Sequence, residues 1–179
     1  IHPKAKDVTL KPAAEDCPLP GKWAIPEDMT AGKMVLYTHG GAYVSGSPAT
    51  HEPIICRLAE KCGVAVFAYD YRLAPEHPYP AALEDALSVY GYIRSLGYAP
   101  GDIALCGDSA GGGLTLALTM ALRDRGEPVP GAVAVISPWT DLTESADSHF
   151  TNGELDPLIS SEELRETALL YAGGHDLRE

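Results

Sequence analysis

Three near-continuous apolar runs, Val64 to Tyr69, Ile103 to Cys106 and Ala132 to Ser137, constrain the fold more than any other feature. A run without polar alternation belongs to a strand covered on both faces. Between them apolar residues recur at three and four, first as Ile54, Ile55, Leu58, Ala59 and Cys62, then as Leu83, Ala86, Leu87, Tyr90 and Ile93. That is the spacing of helices with one buried face. Strand and helix alternate, so the core is expected to be α/β, a mostly parallel sheet flanked by helices. Ahead of this core, residues 8 to 13, 22 to 25 and 33 to 38 are short β-prone pieces separated by Cys17-Pro18-Leu19-Pro20-Gly21 and Pro26-Glu27-Asp28. They predict an antiparallel start to the sheet. Near the end, Ser160-Ser161-Glu162-Glu163 reads as a capping box in which Ser160 caps and Glu163 reaches back. It opens a helix to about Ala172, stopped by Gly173-Gly174.

With 179 residues, 45% hydrophobic and 21% charged, the chain can bury one core and is read as a single domain over 1–179. A formal net charge of −12 repels nucleic-acid phosphate and anionic lipid, so neither is expected as a partner and a neutral small molecule fits better. The four cysteines form no C-x-x-C pair. No metal or cofactor is expected, and reduced thiols imply a cytoplasmic location. The apolar runs fall far short of the roughly 20 residues of a membrane-spanning helix, and the opening residues hold no signal-peptide core.

Gly107-Asp108-Ser109-Ala110-Gly111 matches G-x-S-x-G directly after the strand 103 to 106 and before an apolar helix from about Ala110 to Arg123. So tight a strand-to-helix turn strains the backbone of Ser109, and the flanking glycines remove Cβ atoms that would clash there. It also aims the hydroxyl at a helix N-terminus, where free N–H groups favour negative charge. A Gly-rich helix start or a phosphate-binding turn is the competing reading of the five residues taken alone. A second piece, His39-Gly40-Gly41-Ala42-Tyr43, follows the strand 33 to 38. Bare backbone there can approach a substrate carbonyl and offer N–H donors at Gly40, Gly41 and Ala42, with Ala110 adding another. His39 is a conceivable general base, but at a strand end it more naturally holds the glycine loop.

With both motifs placed, the chain closely resembles the hormone-sensitive-lipase family of bacterial esterases, within the α/β-hydrolase fold. Four boxes carry the resemblance: His39-Gly40-Gly41-Ala42, the run Asp70 to Ala82, Gly107 to Gly113, and Ser137-Pro138-Trp139-Thr140-Asp141-Leu142. Ala42 stands where the family usually has a third glycine. The resemblance implies that Ser109 attacks a small-molecule ester while the glycine loop and Ala110 hold the oxyanion. It also implies that Asp70 to Ala82 is scaffold locked by prolines and internal ion pairs. Asp108 reads as a packing or hydrogen-bonding residue, and Tyr43 and Trp139 either line the substrate pocket or belong to the core.

A serine hydroxyl needs a histidine to take its proton and a carboxylate to orient that histidine. After Ser109 the histidines are His149 and His175, and Asp141 or Asp156 with His175 is the local candidate pair. Asp156-Pro157-Leu158 imitates the family's acid box but precedes the capped helix, so residues of about 151–175 are expected to form a cap-proximal segment. The resemblance implies that the acid and histidine lie beyond residue 179, with the C-terminal strands and the N-terminal cap helices also missing. It further implies a homodimer at full length. An inactive fragment, or a relative that binds ligand without turnover, is the alternative.

Overall fold

The computed structural model describes residues 7–152, 155–157 and 159–178. Six strands form one mixed sheet in the order β1-β2-β4-β3-β5-β6. β1 (Val8–Pro12) and β2 (Gly21–Pro26) are an antiparallel pair, and β2 continues antiparallel onto β4 (Ala65–Tyr69). β3 (Met34–Thr38), β4, β5 (Ile103–Asp108) and β6 (Ala132–Ile136) run parallel. The expected antiparallel start therefore holds for β1 and β2 only. β3, grouped with them in the sequence, lies between β4 and β5, because all five of its residues are buried and only the sheet centre covers both faces.

Alternation along β3 assigns the two faces. Met34 and Leu36 join Phe67, Tyr69 and Leu105 in a core completed by Ala86, Val89 and Ile93 of α2 (Ala81–Ser95) and Leu114, Leu118 and Leu122 of α3 (Ser109–Asp124). Val35 and Tyr37 point the other way, to Ile55 and Ala59 of α1 (Glu52–Cys62). Each fully buried leucine on α3 stabilises the fold by about 1.5–3 kcal/mol. α1 ends at left-handed Gly63 (φ 62°), whose N–H donates to the Ala59 carbonyl.

β6 departs from the expectation of burial on both faces. It is an edge strand bonded to β5 alone among the described residues, and Val133 and Ile136 are about two-fifths exposed. After it come α4 (Asp147–Thr151) and α5 (Ser161–Ala172). Half of the expected capping box is present: Ser160 Oγ accepts from the Glu163 N–H at 3.2 Å, with no return bond from the Glu163 carboxylate. Gly173 (φ 57°) closes α5 as expected. Tyr171 anchors this helix, stacking on Tyr43 at 3.7 Å while its carbonyl accepts from the Tyr79 N–H.

The ion pairs of the Asp70 to Ala82 loop reach outward to α2, while hydrogen bonds such as His77 N–H to the Leu73 carbonyl at 2.9 Å tie the loop internally. The Arg72 N–H and Nε donate to the buried Asp85 carboxylate at 2.8 and 2.9 Å, and Nη2 reaches Glu84, both acids lying on α2. Among the described residues no helix is long and apolar enough to cross a membrane.

Candidate active site

β3, β5 and β6 end level with one another, Thr38 opposite Gly107 and Asp108 opposite Ile136. Loops at such carboxyl ends are where open α/β sheets gather ligands. No linker separates β5 from α3: Asp108 is extended (φ −117°, ψ 148°), and Ser109 turns into the helix at φ 51°. That left-handed conformation costs an L-residue about 1–2 kcal/mol and is held by the packing around it. A Cβ on Gly107 would overlap the Gly111 carbonyl, and one on Gly111 would overlap the Thr38 and His39 carbonyls. The first turn of α3 thus packs backbone to backbone against the end of β3. From the other side the Trp139 N–H donates to the Ser109 carbonyl at 2.8 Å.

The glycine loop faces this elbow. The Val44 and Ser45 N–H groups both donate to the Gly41 carbonyl at 3.0 Å, closing a tight turn. Gly41 sits at φ 126°, with Ser45 carbonyl oxygen where a side chain would go. Ala42 adopts φ 53°, a left-handed region open to an L-residue at some cost, so alanine fits where a glycine was expected. The Gly40 N–H is already committed: it donates to Asp108 Oδ1 at 3.0 Å. Gly40 is accordingly removed from the expected oxyanion donors, which narrow to Gly41, Ala42 and Ala110. The N–H of Ala110 lies in the first turn of α3, which a helix leaves unpaired.

His39 holds the loop. Its Nδ1–H donates to the Gly40 carbonyl at 2.8 Å and its ring stacks on Tyr71, whose hydroxyl donates to the His39 carbonyl. Burial pushes its pKa down to about 4, so near neutral pH the ring is uncharged.

A cavity of about 480 Å³ opens beside Ser109, bounded by Ser137, Trp139, Asp141, His149 and Asp156 among others. Ser137, like Ser109, sits at positive φ (43°). Trp139 borders this cavity and also packs against the core. Tyr43 does not border the cavity: it is buried and stacked against Tyr171, a core position. Asp141 accepts from the N–H and hydroxyl groups of Thr143 and Ser145, which hold it well below the usual carboxylate range and occupy it with its own loop. Asp156 Oδ1 accepts from the Ile159 N–H. His175 lies outside the cavity, exposed and edge-on to Tyr79 at 5.2 Å. Neither Asp–His175 pair is assembled, and among the described residues no histidine is hydrogen-bonded to Ser109. Sequence reasoning missed Tyr37 and His51, both of which approach Asp108. No local pattern marks them, since each meets Asp108 only through the fold.

A G-x-S-x-G turn at the end of a central parallel strand, facing a glycine loop from the neighbouring strand, is the arrangement of an α/β hydrolase. A family profile described as alpha/beta hydrolase fold matches residues 35–179. An acetyl-hydrolase of Streptomyces hygroscopicus is 44% identical over 147 residues, 82% of this chain and 49% of that protein. The crystal structure of an esterase from the bacterial hormone-sensitive lipase family is 39% identical with a TM-score of 0.93, covering 99% of this chain and 59% of the other. The crystal structure of EstE5 soaked by p-nitrophenyl butyrate is 37% identical with a TM-score of 0.92, covering 99% and 60%. The chain belongs to the hormone-sensitive-lipase family of α/β hydrolases. It spans about half the length of the curated relatives it matches.

Proposed function

We propose that the protein is a serine carboxylesterase that hydrolyses short-chain acyl esters through an acyl-enzyme on Ser109. The observation that carries this reading is the strained Ser109 at φ 51°, set between the glycine loop and the cavity. Ser109 Oγ attacks the ester carbonyl and its proton passes to a histidine base. The N–H groups of Gly41, Ala42 and Ala110 receive the oxyanion, and collapse expels the alcohol, which takes up that proton. Water, deprotonated by the same base, then releases the acid. The base and its orienting carboxylate lie outside residues 1–179 in this reading, as no described histidine is hydrogen-bonded to Ser109 and the cavity-lining acid Asp141 is taken up by its own loop.

A relative that binds ligand without turnover is favoured by one observation, the absence of a hydrogen-bonded base at Ser109 among the described residues. Steady-state hydrolysis of p-nitrophenyl esters by the intact protein separates the two. Turnover that falls with acyl length and is abolished in Ser109→Ala supports the esterase; saturable ester binding without turnover supports the alternative.

A further inference from the structure

Asp108, next to the nucleophile, gathers three groups distant in sequence. Its Oδ1 accepts from the Tyr37 hydroxyl at 2.5 Å and from the Gly40 N–H at 3.0 Å. Its Oδ2 lies 3.5 Å from His51 Nε2. We propose that Asp108 is the positioning carboxylate of the oxyanion loop, and that Tyr37 and His51 are the side chains that aim it. This rests on the reading of Ser109 as nucleophile and of Gly41 and Ala42 as oxyanion donors.

Two physical requirements meet at this carboxylate. The oxyanion donors follow Gly40 in the chain, so anchoring the Gly40 N–H fixes where theirs point, and preorganised donors do most of their work by needing no rearrangement. A carboxylate one residue from the nucleophile would, however, oppose negative charge developing on the substrate. Asp108 satisfies both by spending Oδ1 on Gly40 and Tyr37 and turning Oδ2 to His51. Tyr37 stays a donor throughout the working range, because burial and the bond to Asp108 push its phenol far above its usual pKa.

The hydrogen bonds of His51 fix the orientation of its ring. Thr50 Oγ1 donates to the Ser47 carbonyl at 2.9 Å and accepts from the Ser47 N–H at 3.0 Å. That oxygen lies 2.9 Å from His51 Nδ1, and the Ser47 carbonyl lies 3.2 Å from the same nitrogen. Held at Nδ1, the ring turns Nε2 toward Asp108 Oδ2. The rings of Tyr37 and His39 flank it at 6.3 and 5.5 Å. Neither histidine bears on Ser109 itself, so His51 acts through Asp108 as a positioning residue.

The test uses the intact protein with Tyr37→Phe, His51→Ala and His51→Gln, whose side-chain amide restores a donor toward Oδ2. Three quantities are measured: kcat and KM for p-nitrophenyl acetate, urea stability, and amide hydrogen exchange at residues 40–42. Tyr37→Phe and His51→Ala are expected to lower kcat about tenfold or more, as small misplacements of catalytic groups do, with KM within about twofold. Exchange at 40–42 rises with them, and His51→Gln recovers both readouts. Wild-type kcat and unchanged exchange in the two disrupting variants would overturn the proposal, as would a His51→Gln protein no better than His51→Ala. A loss of stability with unaltered kcat marks a purely structural network and also overturns it. If the wild type shows no Ser109-dependent turnover, the esterase reading fails, and exchange at 40–42 still decides whether this network holds the loop.

Discussion

Replacing Gly111 by alanine tests the backbone-to-backbone packing that builds the elbow, and Gly91 supplies an internal control. Both glycines lie in helices and neither has a positive φ. Alanine is intrinsically the better helix residue by about 0.8–1 kcal/mol. At Gly91 the added methyl meets nothing within 4 Å, so the full gain is expected. At Gly111 it would overlap the Thr38 and His39 carbonyls, and neither backbone can rotate away as a side chain could. Overpacking of this kind costs about 1–3 kcal/mol, and with backbone on the receiving side the upper end applies, leaving a net loss of about 2 kcal/mol. Thermal unfolding should therefore rise by about 2–4 °C for Gly91→Ala and fall by about 4–8 °C for Gly111→Ala. The Gly111 variant should also lose about a hundredfold in kcat/KM, since a shift of about 1 Å between β3 and α3 moves the loop relative to Ser109. Equal stabilisation by the two substitutions would refute the reasoning.

Ala42→Gly should change stability by less than about 0.5 kcal/mol in urea unfolding, because relief of the left-handed strain is offset by the greater freedom of glycine in the unfolded chain. Asp85→Ala should cost about 2 kcal/mol in the same assay, since it removes the buried acceptor of the Arg72 N–H and Nε while leaving the half-exposed guanidinium to water and Glu84. His39 links stability to pH. Its folded pKa, about 4, lies below the ordinary 6.5, so its contribution is complete above pH 6.5 and is lost as pH falls toward 4. The loss is at most about 1.4 kcal/mol per pH unit. His39→Gln should flatten the stability profile across that window, and an unchanged slope would contradict the assignment.

The elbow was legible in the sequence because everything that makes it is contiguous: strand, glycines, serine and apolar helix follow one another from Ile103 to Asp124. The glycine loop was legible for the same reason, as was the N-cap at Ser160. What the sequence concealed is set by distant partners. The place of β3 depends on which strands cover its two faces, not on the turns around it. Gly40 read as an oxyanion donor until its N–H proved committed to a carboxylate 68 residues away. Tyr43 stood open in the sequence between pocket and core, and its stack on Tyr171, 128 residues on, places its ring in the core. Asp156-Pro157-Leu158 shows the opposite hazard, a local pattern that imitates an acid box yet stands ahead of the capped helix α5.

The central claim is that Ser109 forms the acyl-enzyme. Quenching the intact protein in acid during turnover of p-nitrophenyl butyrate and mapping its peptides by mass spectrometry tests that claim directly. A butyryl group on Ser109, absent from the Ser109→Ala protein, is the predicted result. Turnover without an adduct at Ser109, or an adduct that persists after that substitution, would contradict it.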